Sequence, residues 1–209
     1  MAITATVMMA SSMYALDWTI AAVALPHMQG TFSATQDQIS WVLTSYIVIS
    51  AIVMPTTAWL SEKLGRRQLF LISIGGFTIF SALCGGAESL AAEIAYRLAQ
   101  GAFGAFLIPL SQSILLDNYP RSKHAQAMAM WGMGVMLAPI VGPSLGGWLT
   151  HEYTWRWVYY INIPIGILAT AGGVAFLLKT SPSPTPRSFD WLGFIALAVG
   201  VGALQTMLD

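Results

Sequence analysis

The most constraining feature of this chain is where its cations fall. Of nine Lys and Arg residues, Lys63, Arg66 and Arg67 lie in the gap Glu62–Gln68, Arg121 and Lys123 in Asp117–Gln126, and Lys179 and Arg187 in Lys179–Ser188. These gaps alternate with basic-poor ones, and the apolar runs between them are long enough to cross a bilayer. Such one-sided clustering is the positive-inside signature of a chain that threads a membrane repeatedly. In hydrocarbon every backbone N–H and C=O must be satisfied internally, and runs of this length achieve that as helices. The expected fold class is all-α, a polytopic membrane helical bundle. Two cations depart from the pattern: Arg156, in a gap on the opposite side, and Arg97, inside an apolar run.

At about 1.5 Å rise per residue, roughly 20 residues cross the hydrocarbon core. The expected spans are Thr6–Pro26, Ile39–Ser61, Leu69–Ala87, Ala91–Leu116, Ala127–Leu149, Trp157–Leu178 and Trp191–Leu208. With the basic gaps in the cytoplasm, the first span runs outward, and Met28–Gln38, Glu88–Leu90 and Thr150–Arg156 face the exterior. The first run lacks a basic n-region and an Ala-x-Ala site and carries Asp17, so it reads as a retained helix rather than a signal peptide. TSPSPTPRS, Thr180–Ser188, with three prolines, reads as an extended, hydrated linker. The expected organisation is a six-span bundle over residues 1–178, a cytoplasmic linker over 179–189 and a seventh span over 190–209, with the chain incomplete after it.

Composition closes off other classes. Hydrophobic residues fill 56% of 209 positions and charged residues 9%, with mean hydropathy +0.66, whereas a soluble domain is about 25% charged. The formal net charge of zero supplies no field for nucleic acid, and topology already accounts for the basic clusters, so no nucleic-acid partner is expected. An enzyme is not expected either. His27, His124 and His151 lie in different loops, and HEYTW, His151–Trp155, lacks the second His of a zinc H-E-x-x-H. Cys84 has no second thiol and no ligand companion, which leaves neither a metal nor a cofactor to expect.

The residues that cost energy in a membrane are the candidates for function. Asp17 lies near the middle of the first span, where a charge costs about 2.5–3.5 kcal/mol on insertion scales. It is either a structural carboxyl bonded to nearby hydroxyl or backbone groups, or a site that binds and releases a proton. Arg97, one to two turns inside the outer end of the fourth span, shares a helical face with Gln100, Gly101, Gly104, Ser111 and Gln112. That face suggests a helix lining a water-accessible cavity with Arg97 available to Asp17; the alternative is Arg97 snorkelling to the outer headgroups. Asp117, about 30 Å along the same helix and turned away, belongs to another site. In the fifth span Gly134, Ala138, Gly142 and Gly146 recur at i+4 as a small-residue ridge that admits another helix. Pro139 and Pro143 run beside it and make this helix a candidate bending element. In the first basic gap Gly65 is free to take positive φ, Glu62 can pair with Arg66, and Arg66 or Arg67 can reach Asp117. Exposed pairs contribute only about 0–1 kcal/mol, which still biases two states of similar energy.

Four stretches carry a family resemblance: LDWTIAAVALP (Leu16–Pro26), RLAQGAFGA (Arg97–Ala105), APIVGPSLGG (Ala138–Gly147) and WRWVYYINIPIG (Trp155–Gly166). In this order and spacing they resemble motifs of the major facilitator superfamily, specifically its fourteen-span drug:proton antiporter (EmrB/QacA-like) branch, over the whole chain. The first is similar to L-D-x-T-(I/V)-x-x-x-A-L-P, the second to the R-x-x-Q-G motif linked to proton coupling, and the third to an antiporter motif ending in G-P-x-x-G-G. The fourth is similar to W-R-W-x-F-x-I-N-x-P-I-G, with Tyr159 where Phe is usual. The loop motif G-x-L-x-D-(R/K)-x-G-(R/K)-(R/K) departs at Ala58 and Glu62 and fits at Gly65, Arg66 and Arg67.

The resemblance implies the N-terminal six-helix bundle of the major facilitator fold plus a seventh span, with the C-terminal bundle outside this chain. It implies proton-coupled export of amphipathic drugs or related small molecules across the bacterial cytoplasmic membrane. Export of one dedicated metabolite, such as a siderophore, antibiotic or sugar, is the alternative within the family; a membrane enzyme and a non-transporting receptor or assembly protein are the alternatives outside it. Asp17 would carry the proton and Arg97 would govern its release. Gly134, Ala138, Pro139, Gly142, Pro143, Gly146 and Gly147 would shape hinge and closure, and Glu62, Gly65, Arg66, Arg67 and Asp117 a cytoplasmic gate. Trp41, Tyr46, Gln100 and Gln112 would face the substrate cavity. The implied partners are a small-molecule substrate, the proton, the lipid bilayer, the remaining C-terminal bundle and a periplasmic adaptor protein.

Overall fold

The structure, a computed structural model, describes residues 2–178 and 188–208. Nearly all of the expected linker, 179–187, lies outside them. Among the described residues six helical rods are long and apolar enough to cross a membrane: Ala2–Phe32, Gln36–Leu64, Arg66–Gly85, Leu90–Asn118, Arg121–Glu152 and Trp157–Phe176.

Three rods are broken, each at a proline. The second comprises α2 (Gln36–Val53), a 3-10 turn at Met54–Thr56 and α3 (Thr57–Leu64) around Pro55. The first rod is α1 (Ala2–Phe32) and the third α4 (Arg66–Gly85). The fourth comprises α5 (Leu90–Gly104) and α6 (Leu107–Asn118), parted at Ala105–Phe106 ahead of Pro109. The fifth is α7 (His124–Glu152), and the sixth comprises α8 (Trp157–Tyr160) and α9 (Asn162–Phe176), parted at Ile161 ahead of Pro164. A proline removes the donor to the carbonyl four residues back and its ring crowds that carbonyl, so the break falls in the preceding turn in the fourth and sixth rods and at Pro55 itself in the second. In α7, by contrast, the helix runs unbroken through Pro139 and Pro143 in this state.

Rod ends follow capping rather than apolarity. α1 passes through Pro26 to Phe32, so the expected external gap Met28–Gln38 shrinks to Ser33–Thr35. There a reciprocal cap opens α2: Thr35 Oγ1 accepts from the Gln38 N–H and Gln38 Oε1 accepts from the Thr35 N–H. Ser89 caps α5 by accepting from the Ala92 N–H. α3 turns into α4 through Gly65 alone, whose φ of 86° is a conformation that side-chain-bearing residues rarely adopt.

α1 is the centre of the bundle, in contact with α7, α9, α6 and α2, while α4 joins α5 to α9. Two apolar layers surround it. One, toward the basic end, gathers Val7, Met13, Phe70, Phe77, Leu107 and Leu110; the other, toward the opposite end, gathers Ile20, Met28, Ile39, Val42, Leu149 and Tyr159. Asp17 falls between them. The outward side of α7 exposes Met133, Met136, Leu137 and Ile140, a surface suited to lipid rather than water. The expected seventh span is α10 (Trp191–Leu208), a shorter apolar helix laid against α2, with Phe189 at its start packed on Trp59 at 4.8 Å between ring centres.

Candidate functional site: a buried ionic cluster between two apolar layers

Asp17 and Arg97 meet in the middle of the bundle, both fully shielded from solvent. Arg97 Nη1 donates to Asp17 Oδ2 and, at 2.8 Å, to Gln100 Oε1, while its Nε donates to the carbonyl of Val42 at 3.2 Å. Asp17 Oδ1 accepts from Gln100 Nε2 at 2.9 Å and from Asn162 Nδ2 at 2.7 Å. Asn162 Nδ2 also reaches Ser81 Oγ at 3.0 Å, and Ser81 in turn donates to the carbonyl of Tyr159 at 2.9 Å. The guanidinium lies over the Tyr46 ring at 4.0 Å and beside that of Tyr159 at 5.6 Å. Five rods thus converge on one carboxylate that accepts three side-chain donors. Such a network holds a buried charge because both carboxylate oxygens meet directed donors.

Local structure explains the convergence. Asp17 and Thr19 are two residues apart on α1 and so point to different sides: Asp17 toward α5 and α9, Thr19 toward α7. Thr19 turns its hydroxyl back to the Leu16 carbonyl at 2.8 Å and packs under Gly142, where any Cβ would overlap it. Gly146 lies one turn on, and a Cβ there would stand 3.2 Å from the backbone oxygen of Ile20. The ridge Gly134, Ala138, Gly142 and Gly146 is therefore the seam on which α7 meets α1. Gly147 points away from it, with open space around the position of a Cβ.

Several expected placements change. The face of Arg97, Gln100, Gly101, Gly104 and Ser111 is buried, not the wall of a water-filled cavity. Gly101 approaches the backbone of α2, Ser50 donates to the Gly101 carbonyl, and Ser111 donates to the Val7 carbonyl. Small and polar residues there serve close helix contact, which reads the same in sequence as a cavity lining. Snorkelling of Arg97 is excluded by its burial. Tyr46 is a platform under Arg97 rather than an open wall; Trp41 is 38% exposed; Gln112 sits half-buried on α6, beyond the break.

At the basic end Arg66 Nη1 bonds Asp117 Oδ2, with both side chains about half exposed. Arg67 Nη2 donates to the carbonyl of Val174 at 2.9 Å. Gly65 parts Glu62 on α3 from Arg66 on α4, so the two do not share a helix turn. Both line a cavity of about 630 Å³ with Met54, Ser61, Pro109 and Ser113. Ala58, in place of the motif's glycine, is exposed on this cavity, so its methyl costs no packing.

Three participants have no counterpart among the sequence candidates. Asn162 and Ser81 hold Asp17 directly or at one remove. Asn162 was visible inside the stretch WRWVYYINIPIG, though nothing in the pattern tied it to Asp17. Glu93, fully buried one turn before Arg97, could have been found from the Glu-x-x-x-Arg spacing on an otherwise apolar helix. Among the described residues no group of His, Cys, Asp and Glu could hold a metal ion.

The model of the Major Facilitator Superfamily matches residues 7–205. Among similar curated proteins, the Multidrug export protein EmrB of Haemophilus influenzae is 43% identical over 201 residues, which is 96% of this chain and 39% of that protein. The Fatty acid resistance protein FarB of Neisseria gonorrhoeae is 41% identical over 197 residues, 94% of this chain and 39% of its own length. The chain therefore spans about two fifths of these relatives. Of solved structures, a peptide transporter POT in complex with sulfate aligns with TM-score 0.78 at 14% identity, over 99% of this chain and 45% of that one. The human organic anion transporter MFSD10 aligns with TM-score 0.70 at 19% identity, over 94% and 52%.

Proposed function

This chain belongs to the Major Facilitator Superfamily, and on that premise we propose that it is the N-terminal part of a proton-coupled exporter of amphipathic small molecules in the bacterial cytoplasmic membrane. The observation that carries the reading is the Asp17–Arg97 pair at the centre of the bundle. A carboxylate buried among directed donors is bistable: charged, it holds Arg97, Gln100 and Asn162; protonated, it loses an acceptor and frees the guanidinium. Five rods share the cluster, so a change in its bonding is felt across the bundle, as alternating access about a midplane site requires. The seam of Gly142 and Gly146 leaves α1 and α7 in close contact without interlocking large side chains. The Arg66–Asp117 pair would bias closure at the cytoplasmic end.

Relatives and composition both bear on the substrate class. EmrB bears a name of multidrug export and FarB one of fatty acid resistance; amphipathic compounds cover both, and such ligands are held by apolar area more than by fixed hydrogen bonds. Asp17→Asn keeps the shape of the side chain and removes the titration. In the full-length protein it is expected to abolish uncoupler-sensitive efflux of ethidium from cells while leaving expression and folding intact. Retained uncoupler-sensitive efflux would route the proton elsewhere.

A further inference from the structure

Glu93 is buried on α5 with neither carboxyl oxygen hydrogen-bonded, four residues before Arg97, whose Nη2 is likewise buried and without a partner. One helix face thus carries an unused acceptor and an unused donor one turn apart, with Glu on the N-terminal side, the favourable order for an i, i+4 pair. A bare carboxylate in such a place would cost far more than its neutral form, so a proton on Glu93 is the state compatible with this arrangement. Among the described residues, the titratable or charged groups facing it are Arg97 on its own helix, Asp17 of α1, Tyr159 of α8, Cys84 of α4 and Arg156 just before α8. Arg156 is engaged elsewhere, donating to the carbonyls of Gly85 and Ala87. The Tyr159 hydroxyl lies beside the Glu93 carboxyl, near enough to interact with it but outside ordinary hydrogen-bond geometry, and its bonded acceptor is Met28 Sδ at 3.9 Å.

We propose that Glu93 is the second proton site of this cluster and the alternative partner of Arg97. Resting on the proton-coupled reading above, the step is an exchange. The proton leaves a Glu93 oxygen and an Asp17 oxygen gains one; Arg97 gives up its N–H···O bond to Asp17 and forms one to Glu93. No electrons move, and the trio of Asp17, Arg97 and Glu93 carries zero net charge before and after. That neutrality lets the exchange run in a dry interior, where a lone ion left behind would be prohibitive. Glu93 stands one turn from the start of α5, on the basic-poor side of Asp17. It would therefore receive protons from the exterior and hand them inward.

The test is infrared spectroscopy of the purified full-length protein in lipid at neutral pH, together with ethidium efflux. Wild type is expected to show a protonated-carboxyl C=O band that shifts on 13C-glutamate labelling and is lost in Glu93→Gln. The same band should be lost in Asp17→Asn, because Arg97 is then free to ionise Glu93. Glu93→Gln keeps the shape of the neutral acid, and the isotope label reads wild type without any substitution. No labelled band in wild type, a band surviving Glu93→Gln, or one unmoved by Asp17→Asn would each overturn the exchange. Uncoupler-sensitive ethidium efflux should be lost in both variants. If Asp17→Asn retains it, the proton travels by another route and the role of Asp17 as its carrier fails, while the infrared result still decides the exchange. If only Glu93→Gln retains it, the relay fails and that reading stands.

Discussion

The bundle contains two Arg–Asp pairs made from the same chemistry and set in opposite surroundings. Arg97 and Asp17 are 0% exposed and share Gln100, Asn162, Val42 and Tyr46 as further partners; Arg66 and Asp117 are 41% and 52% exposed at the rim. An exposed pair competes with water and salt and contributes about 0–1 kcal/mol. Removing one member of a buried pair strands the other charge at a cost of about 3–5 kcal/mol. The difference assigns them different duties. The buried pair can only change by a proton or a new partner, so it defines states; the rim pair opens and closes thermally, so it tunes populations.

Breaking the buried pair should therefore give the largest effect. Arg97→Ala is expected to lower stability by about 3–5 kcal/mol, by leaving Asp17 charged without its cation. Adding Asp17→Asn should recover part of that loss, since no stranded charge remains. Thermal unfolding of the full-length protein in detergent, followed by tryptophan fluorescence, reads both. A double variant no more stable than Arg97→Ala would mean that packing on Tyr46, not charge, is what Arg97 supplies.

The comparison also shows what a sequence can reveal here. The all-α class and six of the seven expected rods were legible because hydrocarbon thickness demands apolar runs of a set length, and few charges interrupt them; the seventh, α10, is a shorter apolar helix. Rod ends were less so: apolarity does not mark where α1 stops, and the start of α2 is set by the Thr35–Gln38 cap. The breaks at Pro55, Pro109 and Pro164 were hidden because apolar character continues across a kink. Asp17 and Arg97 stood out by their cost. Which of their neighbours were cavity wall and which were close-packed seam depended on tertiary contacts that periodicity does not carry, and so Glu93 and Asn162 escaped notice while Gln112 did not.

A second, smaller effect sharpens the contrast by asking how firmly α1 presents Asp17. Gly142 is buried against Thr19, two residues beyond Asp17, whereas Leu145 is half-buried on the same helix. Gly142→Leu is expected to force α7 off α1 and cost about 1–3 kcal/mol or more, with a matching fall in expression and ethidium efflux. Leu145→Ala removes contacts without moving a helix and should do less. Equal tolerance of the two would detach the seam from the placement of Asp17.

The smallest effect belongs to the rim. Arg66→Ala should change unfolding by no more than about 1 kcal/mol and lose even that at high salt, because both partners are already hydrated. Its consequence should be in populations: a bias of that size changes the ratio of two states by about fivefold at most. Ser113 lines the cavity beside Arg66, so the rate at which Ser113→Cys reacts with a maleimide, in a Cys84→Ser background, reports how often that end is open. Arg66→Ala should raise the rate, and raising the salt concentration should bring the wild-type pairing toward the same value. If Arg66→Ala instead destabilised the protein as strongly as Arg97→Ala, or left the labelling rate unmoved at low salt, the division between a pair that defines states and a pair that tunes them would be lost.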